Sequence, residues 1–375
     1  MDPRRKTEHL ACPFPSFLHP QCKVTVLQFN ILADKLGDAK AFPMVAEANL
    51  SWAARSPRIV SYITEIGADI VALEEVDHPD ELAEALKNTY PHFIYRSKGG
   101  FAGDGTMLLY KPRFTLLDQF TKKFTDMEDQ SKTASQCFVY AEFSENVTKE
   151  KFCVLATHLK AKKPFSDTRA YQAKQIVEFL TLRAKLDSCI VLGDFNADGD
   201  EKAIGLMADA GLTDIFETLQ SNNPEKYKDH WTTMKYHDAG ELQLRSIDYI
   251  FFPKKRFYVQ RLLMPSGRDE VDQKVGLPDK QNPSDHIPLY AEFGLLTPAT
   301  ETIPSMEKVL TKNILIIKRH WDTENTKACL RETLKYYTSC ETGDQCKFVS
   351  YNVHLQTALR EHEVLLEFKE FHDNK

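Results

Sequence analysis

The chain has 375 residues, enough for one large domain with an appendage or two moderate ones, and its 42% hydrophobic and 27% charged residues exclude disorder of the whole. A formal charge of -6 excludes a protein-wide field for nucleic acid or anionic membrane, so phosphate binding must come from local cations or metal. The eight cysteines (Cys12, Cys22, Cys137, Cys153, Cys189, Cys329, Cys340, Cys346) hold no C-x-x-C pair or zinc spacing and read as reduced thiols. No apolar run suits a signal peptide or a membrane span, so the expected compartment is the cytoplasm, with nuclear access.

Residues 1–22 read as an N-terminal extension. Val24 to Phe29 is short and β-branched and stops at Asn30, as a buried strand does. Ser56-Pro57 reads as an N-cap and first helical position, opening a helix to Ile66. A second buried strand, Asp69 to Leu73, runs into the polar Glu74-Glu75-Val76-Asp77-His78. Further strands are expected at Thr106 to Tyr110, Cys137 to Phe143, Phe152 to Thr157, Cys189 to Leu192, Ile247 to Phe252 and Ile287 to Phe293, with helices over Thr168 to Lys185 and Glu201 to Ala210. Strands alternating with helices but also with hairpins predict a mixed α/β architecture, two packed sheets covered by helices. The pattern changes after Phe293, so residues 299–375 are expected to be a separate C-terminal extension or small α/β element of unassigned role, with strand-like 313–317, helix-like 326–337 and apolar 364–368.

Four strands end in groups that bind metal or move protons: Asn30, Glu75, His158, and Asp194 with Asn196 two positions on. Asp248, in Arg245-Ser-Ile-Asp248-Tyr249, and Ser284-Asp285-His286 add two more signals. Strand ends of α/β sheets converge at the rim where ligands bind. Phosphoester hydrolysis needs charge neutralised on the phosphoryl oxygens, a positioned water and help for the departing oxygen. Glu75 with Asp285 or Asn30 offers the hard oxygens that magnesium takes, Asp194 can deprotonate water, His158 and His286 can meet developing charge, and Asp248 can orient His286. Each residue taken singly reads as a cap, turn or surface group, and the coincidence of all six signals in one order argues otherwise. Trp52 and Trp231 read as core, and Glu74 points away from its neighbour's ligand by strand alternation.

These segments resemble the endonuclease/exonuclease/phosphatase superfamily over roughly residues 23–293. Q-F-N-I-L-A (28–33), W-x-x-R (52–55), A-D-I-V-A-L-E-E-V-D-H (68–78), D-G (104–105), T-H-L-K-A-K (157–162), R-x-x-Q (169–172), G-D-F-N-A (193–197), W-T-T-M-K (231–235), I-D-Y-I (247–250) and P-S-D-H (283–286) are most similar to nocturnin and the deadenylases of the carbon catabolite repressor type. The resemblance implies a four-layered α/β/β/α sandwich over 23–295 and a magnesium ion, with manganese as a substitute. It implies Glu75 as principal ligand with Asn30 beside it and Asp285 on the metal side. Asp194 and Asn196 would position the attacking water, His158 would support the phosphoryl transition state, and Asp248 would orient His286 at the scissile phosphate. Lys98, Lys160 and Lys162 match basic positions that meet nucleotide phosphates, and Asp104 of the D-G pair falls on the substrate side.

Two features depart from the pattern: Glu74 stands where the family usually has Gln, and Lys162 where nocturnin has Arg. With few residues before the first strand, the leucine-rich repeats of the repressor-type deadenylases are not expected. The implied activity is removal of the 2′-phosphate from NADP(H), with 3′-to-5′ trimming of poly(A) RNA as the alternative; the acidic balance favours the small ligand. Inositol phosphate hydrolysis is more distant, and a non-enzymatic binding module is disfavoured because the whole site set is present.

Overall fold

The computed structural model describes residues 7–9, 22–99, 103–222, 230–236, 242–263 and 276–296. The elements expected within 299–375 and most of 1–22 lie outside the described residues. Among the described residues fifteen strands and five α-helices run, in chain order, β1 (Thr7–His9), β2 (Lys23–Asn30), α1 (Trp52–Ile66), β3 (Ile70–Val76), α2 (Pro79–Leu86), β4 (His92–Ser97), β5 (Gly105–Tyr110), β6 (Phe114–Thr125), β7 (Thr133–Glu145), β8 (Lys151–His158), α3 (Ser166–Leu182), β9 (Cys189–Asp194), α4 (Lys202–Asp209), β10 (Thr213–Asp214), α5 (Ile215–Asn222), β11 (Thr233–Tyr236), β12 (Leu242–Arg245), β13 (Asp248–Phe252), β14 (Phe257–Leu263) and β15 (Leu289–Leu295). Among the described residues no helix is long and apolar enough to cross a membrane.

Seven strands form one sheet in the order β1-β14-β15-β2-β3-β5-β4, six form a second in the order β10-β13-β9-β8-β7-β6, and β11-β12 is a separate ribbon. Thr7–His9, inside the expected N-terminal extension, adds the edge strand beside β14. Each large sheet has one parallel pair, β2 with β3 and β8 with β9, so each delivers two C-terminal strand ends to the same edge.

Side-chain alternation sorts these strands into two faces. Leu27 and Phe29 of β2 and Val71 and Leu73 of β3 pack with Ile59 and Ile63 of α1 and Leu82 and Leu86 of α2. Cys153 and Leu155 of β8 and Cys189 and Val191 of β9 pack with Ala173, Ile176 and Leu180 of α3 and Ala203 and Met207 of α4. The opposite faces meet each other, as the Phe252–Phe293 ring contact at 5.1 Å across the sheets illustrates. The result is the expected α/β/β/α order of layers. Read toward the site, the inner faces run Val24-Val26-Gln28-Asn30, Ile70-Ala72-Glu74, Val154-Ala156-His158 and Ile190-Leu192-Asp194, all buried. The inter-sheet core is therefore apolar at one end and polar at the other.

Helix α1 begins at Trp52, four residues before the expected cap, and holds Pro57 inside. That proline forfeits one helical hydrogen bond. Burial of Trp52 and Arg55 outweighs it: Arg55 donates to the carbonyls of Leu50 and Ile31 at 2.8 Å each. The helix stops where Gly67, at φ +58°, folds its N–H back to Ile63 O.

Candidate active site

The polar ends of the two inner faces touch. Asn30 Nδ2 donates to Asp194 Oδ2 at 2.9 Å, and Gln28 Nε2 donates both to Glu74 Oε2 at 2.9 Å and to Asp248 Oδ1 at 2.8 Å. Within the second sheet, Asp194 stands in register with His158 on β8 and with Asp248 on β13. Gly193, at φ +153°, is required for this approach, since a Cβ there would lie 1.9 Å from Thr157 O.

Asp248 is fully buried and accepts three hydrogen bonds: Gln28 Nε2 on one oxygen, and Thr232 Oγ1 at 2.6 Å and His286 Nδ1 at 2.8 Å on the other. Burial pushes the His286 imidazole down, but Asp248 on its Nδ1, with Asp194 and Asp285 nearby, wins and holds the pKa well above the ordinary value. Its Nε2 faces Asp194 Oδ2 at 3.8 Å. Burial and the Asp248 charge raise Asp194 to about 7, against the lowering effects of His286, Asn30 and the Asn196 N–H.

His158 sits on the other side of Asp194, with Nε2 at 3.5 Å from Oδ2. Its two ring nitrogens face Asn196 Nδ2 at 2.9 Å and Lys98 Nζ at 3.2 Å. Burial, the Lys98 ammonium and His286 all push its pKa well below the usual range. One carboxylate thus lies between a neutral and a cationic imidazole. Asn196 reaches its histidine from a left-handed conformation, φ +52°, while its N–H returns to Asp194 Oδ1 at 2.8 Å.

Glu75 escapes strand alternation. The register of β3 against β5 slips between Leu73 and Val76, and Glu75 adopts φ +58°. Strict alternation would aim it into the apolar layer under α1 and α2; the bulge lifts it to the rim, at a cost of about 1–2 kcal/mol for a left-handed non-glycine residue. One of its oxygens accepts the Ala33 N–H at 3.1 Å. Burial raises its pKa, Lys98 opposes that, and Asp285 and Asp104 raise it further. Mutually repelling hard oxygens at a half-buried rim suit a divalent cation. Glu74, on the inner face, is completely buried; burial together with Asp248 and Asp194 holds its carboxyl well above the ordinary value, against the lowering effect of Gln28 and His286.

Asp194, Asp248 and His286 also carry ligand-type atoms within 4.8 Å of one another. Asp248 has already committed its oxygens to three donors, which leaves Asp194 as the member with capacity for a cation. Asn30 keeps its amide oxygen on the Leu32 N–H at 3.1 Å and its nitrogen on Asp194. Asp285 is 3.9 Å from Lys235 Nζ.

Of the expected substrate-side residues, Lys98 and Asp104 form an ion pair at 2.5 Å beside His158. Lys160 lies over the Phe165 ring at 4.7 Å, and Lys162 is exposed in the same loop. R-x-x-Q fixes that loop: Arg169 donates to Lys160 O at 3.0 Å and Lys162 O at 2.8 Å, and Gln172 accepts the Lys160 N–H at 3.0 Å. Sequence reasoning gave no role to Gln28, Thr232 or Ser284, although each lies in a quoted motif. Ser284 Oγ donates to Asn30 O at 2.7 Å and ties the His286 segment to the end of β2.

The fold and the site define a class, and the chain belongs to the Endonuclease/Exonuclease/phosphatase family, which matches residues 27–286. Nocturnin of Drosophila melanogaster is 27% identical over 309 residues, covering 73% of this chain and 47% of that protein. Nocturnin of Homo sapiens is 27% identical with coverage of 73% and 65%. The CCR4-Not complex 3'-5'-exoribonuclease subunit Ccr4 of Aspergillus oryzae is 25% identical with coverage of 72% and 47%. The chain therefore spans about half to two thirds of the length of these relatives. Among solved structures, the human Nocturnin catalytic domain with bound sulfate aligns with a TM-score of 0.61 at 23% identity, covering 79% of this chain and all of that one. ANGEL2, a 2',3'-cyclic phosphatase in complex with adenosine-2',3'-vanadate, aligns with a TM-score of 0.64 at 19% identity, covering 77% and 98%.

Proposed function

We propose that this protein is a magnesium-dependent phosphoesterase that removes a phosphate from a nucleotide of the NADP(H) type. The carrying observation is the buried Asp194, whose Oδ2 lies 3.5 Å from His158 Nε2 and 3.8 Å from His286 Nε2, with Asp248 on the far nitrogen of His286; burial and Asp248 raise its pKa to about 7. Asp194 takes a proton from the attacking water while Asn196 holds that water in line. His286, kept charged by Asp248, and His158 meet the negative charge that develops on the phosphoryl oxygens. Glu75, with Asn30 and Asp285 beside it, would hold the cation, which supplies Lewis-acid stabilisation of the phosphoryl group. Lys98, Lys160 and Lys162, with Asp104 fixing Lys98, bind the nucleotide's phosphates. The likeness to Ccr4 supports a second reading, 3′-to-5′ removal of adenylate from RNA.

Purified protein with magnesium is offered NADPH and a labelled oligoadenylate in parallel. Phosphate release from NADPH supports the first reading, and release of adenylate supports the second. Cleavage of neither refutes both.

A further inference from the structure

Lys235 has no part in the reading above, although it ends the W-T-T-M-K motif. Its strand is bound directly to the catalytic segment: Met234 N and Thr233 Oγ1 both donate to Asp285 O at 2.9 Å, and Thr233 bridges His286. Lys235 Nζ sits 4.0 Å from the centroid of Phe42, a buried ring packed with Leu32, Val45 and Leu50 just beyond the end of β2. The ammonium approaches Asp285 Oδ2 only to 3.9 Å, too far for a hydrogen bond, and it makes none among the described residues. Its side chain is 32% exposed. An aromatic face and an anchored strand thus hold a cation whose N–H donors are uncommitted.

The two histidines that flank Asp194 each have a lysine nearby. Lys98 touches His158, and Lys235 lies by Asp285, next to His286. Lys98 is already paired with Asp104, whereas among the described residues the nearest carboxylate to Lys235 stays 3.9 Å away, so Lys235 is the lysine with donors left for another anion of the substrate.

Resting on the nucleotide reading, we infer that Lys235 binds a second, non-scissile phosphate and makes the site prefer nucleotides that carry two phosphate groups over those that carry one. Lysine suits this task because a compact ammonium on a flexible stem follows an anion without demanding bidentate geometry.

The test compares wild type, Lys235→Met and Lys235→Arg on adenosine 2′,5′-bisphosphate and adenosine 2′-monophosphate, by steady-state hydrolysis and by calorimetric binding of the same two nucleotides. Lys235→Met raises KM and Kd for the bisphosphate about 10- to 100-fold, the worth of one hydrogen bond to a charged group, and leaves the monophosphate values within about threefold. Lys235→Arg keeps most of the preference. Equal effects on both nucleotides, or no effect on either, overturn the assignment. If wild type hydrolyses neither nucleotide, the functional reading fails, and calorimetry still decides the subsite: wild type must bind the bisphosphate more tightly and Lys235→Met must lose that margin, whereas equal affinities or no binding refute it.

Discussion

Replacing Asp248 by Asn keeps its shape and removes its charge, which isolates what that charge does. The carboxylate accepts from Gln28, Thr232 and His286, with no exposure to water. An amide must turn its NH2 toward either Gln28 Nε2 or His286 Nδ1, each of which now donates. The relaxed arrangement has a neutral His286 accepting at Nδ1, because burial already disfavours the imidazolium and only the carboxylates sustain it. Unit charges about 4 Å apart attract by about 4 kcal/mol at the effective dielectric of a protein. Breaking one partner of a buried pair costs about 3–5 kcal/mol. Loss of the cation opposite the phosphoryl oxygens should therefore lower kcat by about 10²- to 10³-fold. Steady-state kinetics across pH 5–10 under saturating metal is the assay. The alkaline limb, on which wild-type His286 loses its proton, should move to lower pH in the variant. A kcat within about fivefold of wild type, or an unmoved alkaline limb, would refute the reasoning.

Three other outcomes follow from the same geometry. Glu75→Asn should lose activity yet unfold at no lower temperature than wild type when both are scanned in EDTA, because Asn tolerates φ +58° and the repulsion from Asp285 and Asp104 is relieved; a melting point more than a few degrees lower would contradict this. In metal-free protein, carbon NMR should find the Asp194 carboxyl titrating near 7, so its base form grows as pH rises; a value in the ordinary carboxylate range would remove the argument from burial. Arg169→Lys, which loses the fork that clamps Lys160 O and Lys162 O, should raise KM about tenfold while kcat stays within about threefold; a fall in kcat with KM unchanged would deny the loop its binding role.

The inner faces of β2, β8 and β9 were legible because strict alternation carries each apolar strand into a polar residue at its end. The same periodicity misreads β3. Nothing local announces a bulge at Glu74-Glu75, and the left-handed turn there decides which carboxylate enters the buried network and which reaches the rim. Strand β6 was missed because its FTLLDQFTKKFT is an edge strand with polar residues on its exposed face and lacks the β-branched run of a buried one. Gln28 and Thr232 were quoted in motifs without a role because their shared partner Asp248 lies 220 and 16 residues away and only the fold brings it to them, for Gln28 across the interface of the two sheets.

Two groups of residues compete for the cation, and manganese titration followed by electron paramagnetic resonance distinguishes them. Wild type should show a bound-ion signal that Glu75→Ala abolishes and Asp248→Asn retains, since Glu75 has a free oxygen at the rim and Asp248 has none. A signal kept in Glu75→Ala and lost in Asp248→Asn would place the metal among Asp194, Asp248 and His286 and contradict the account.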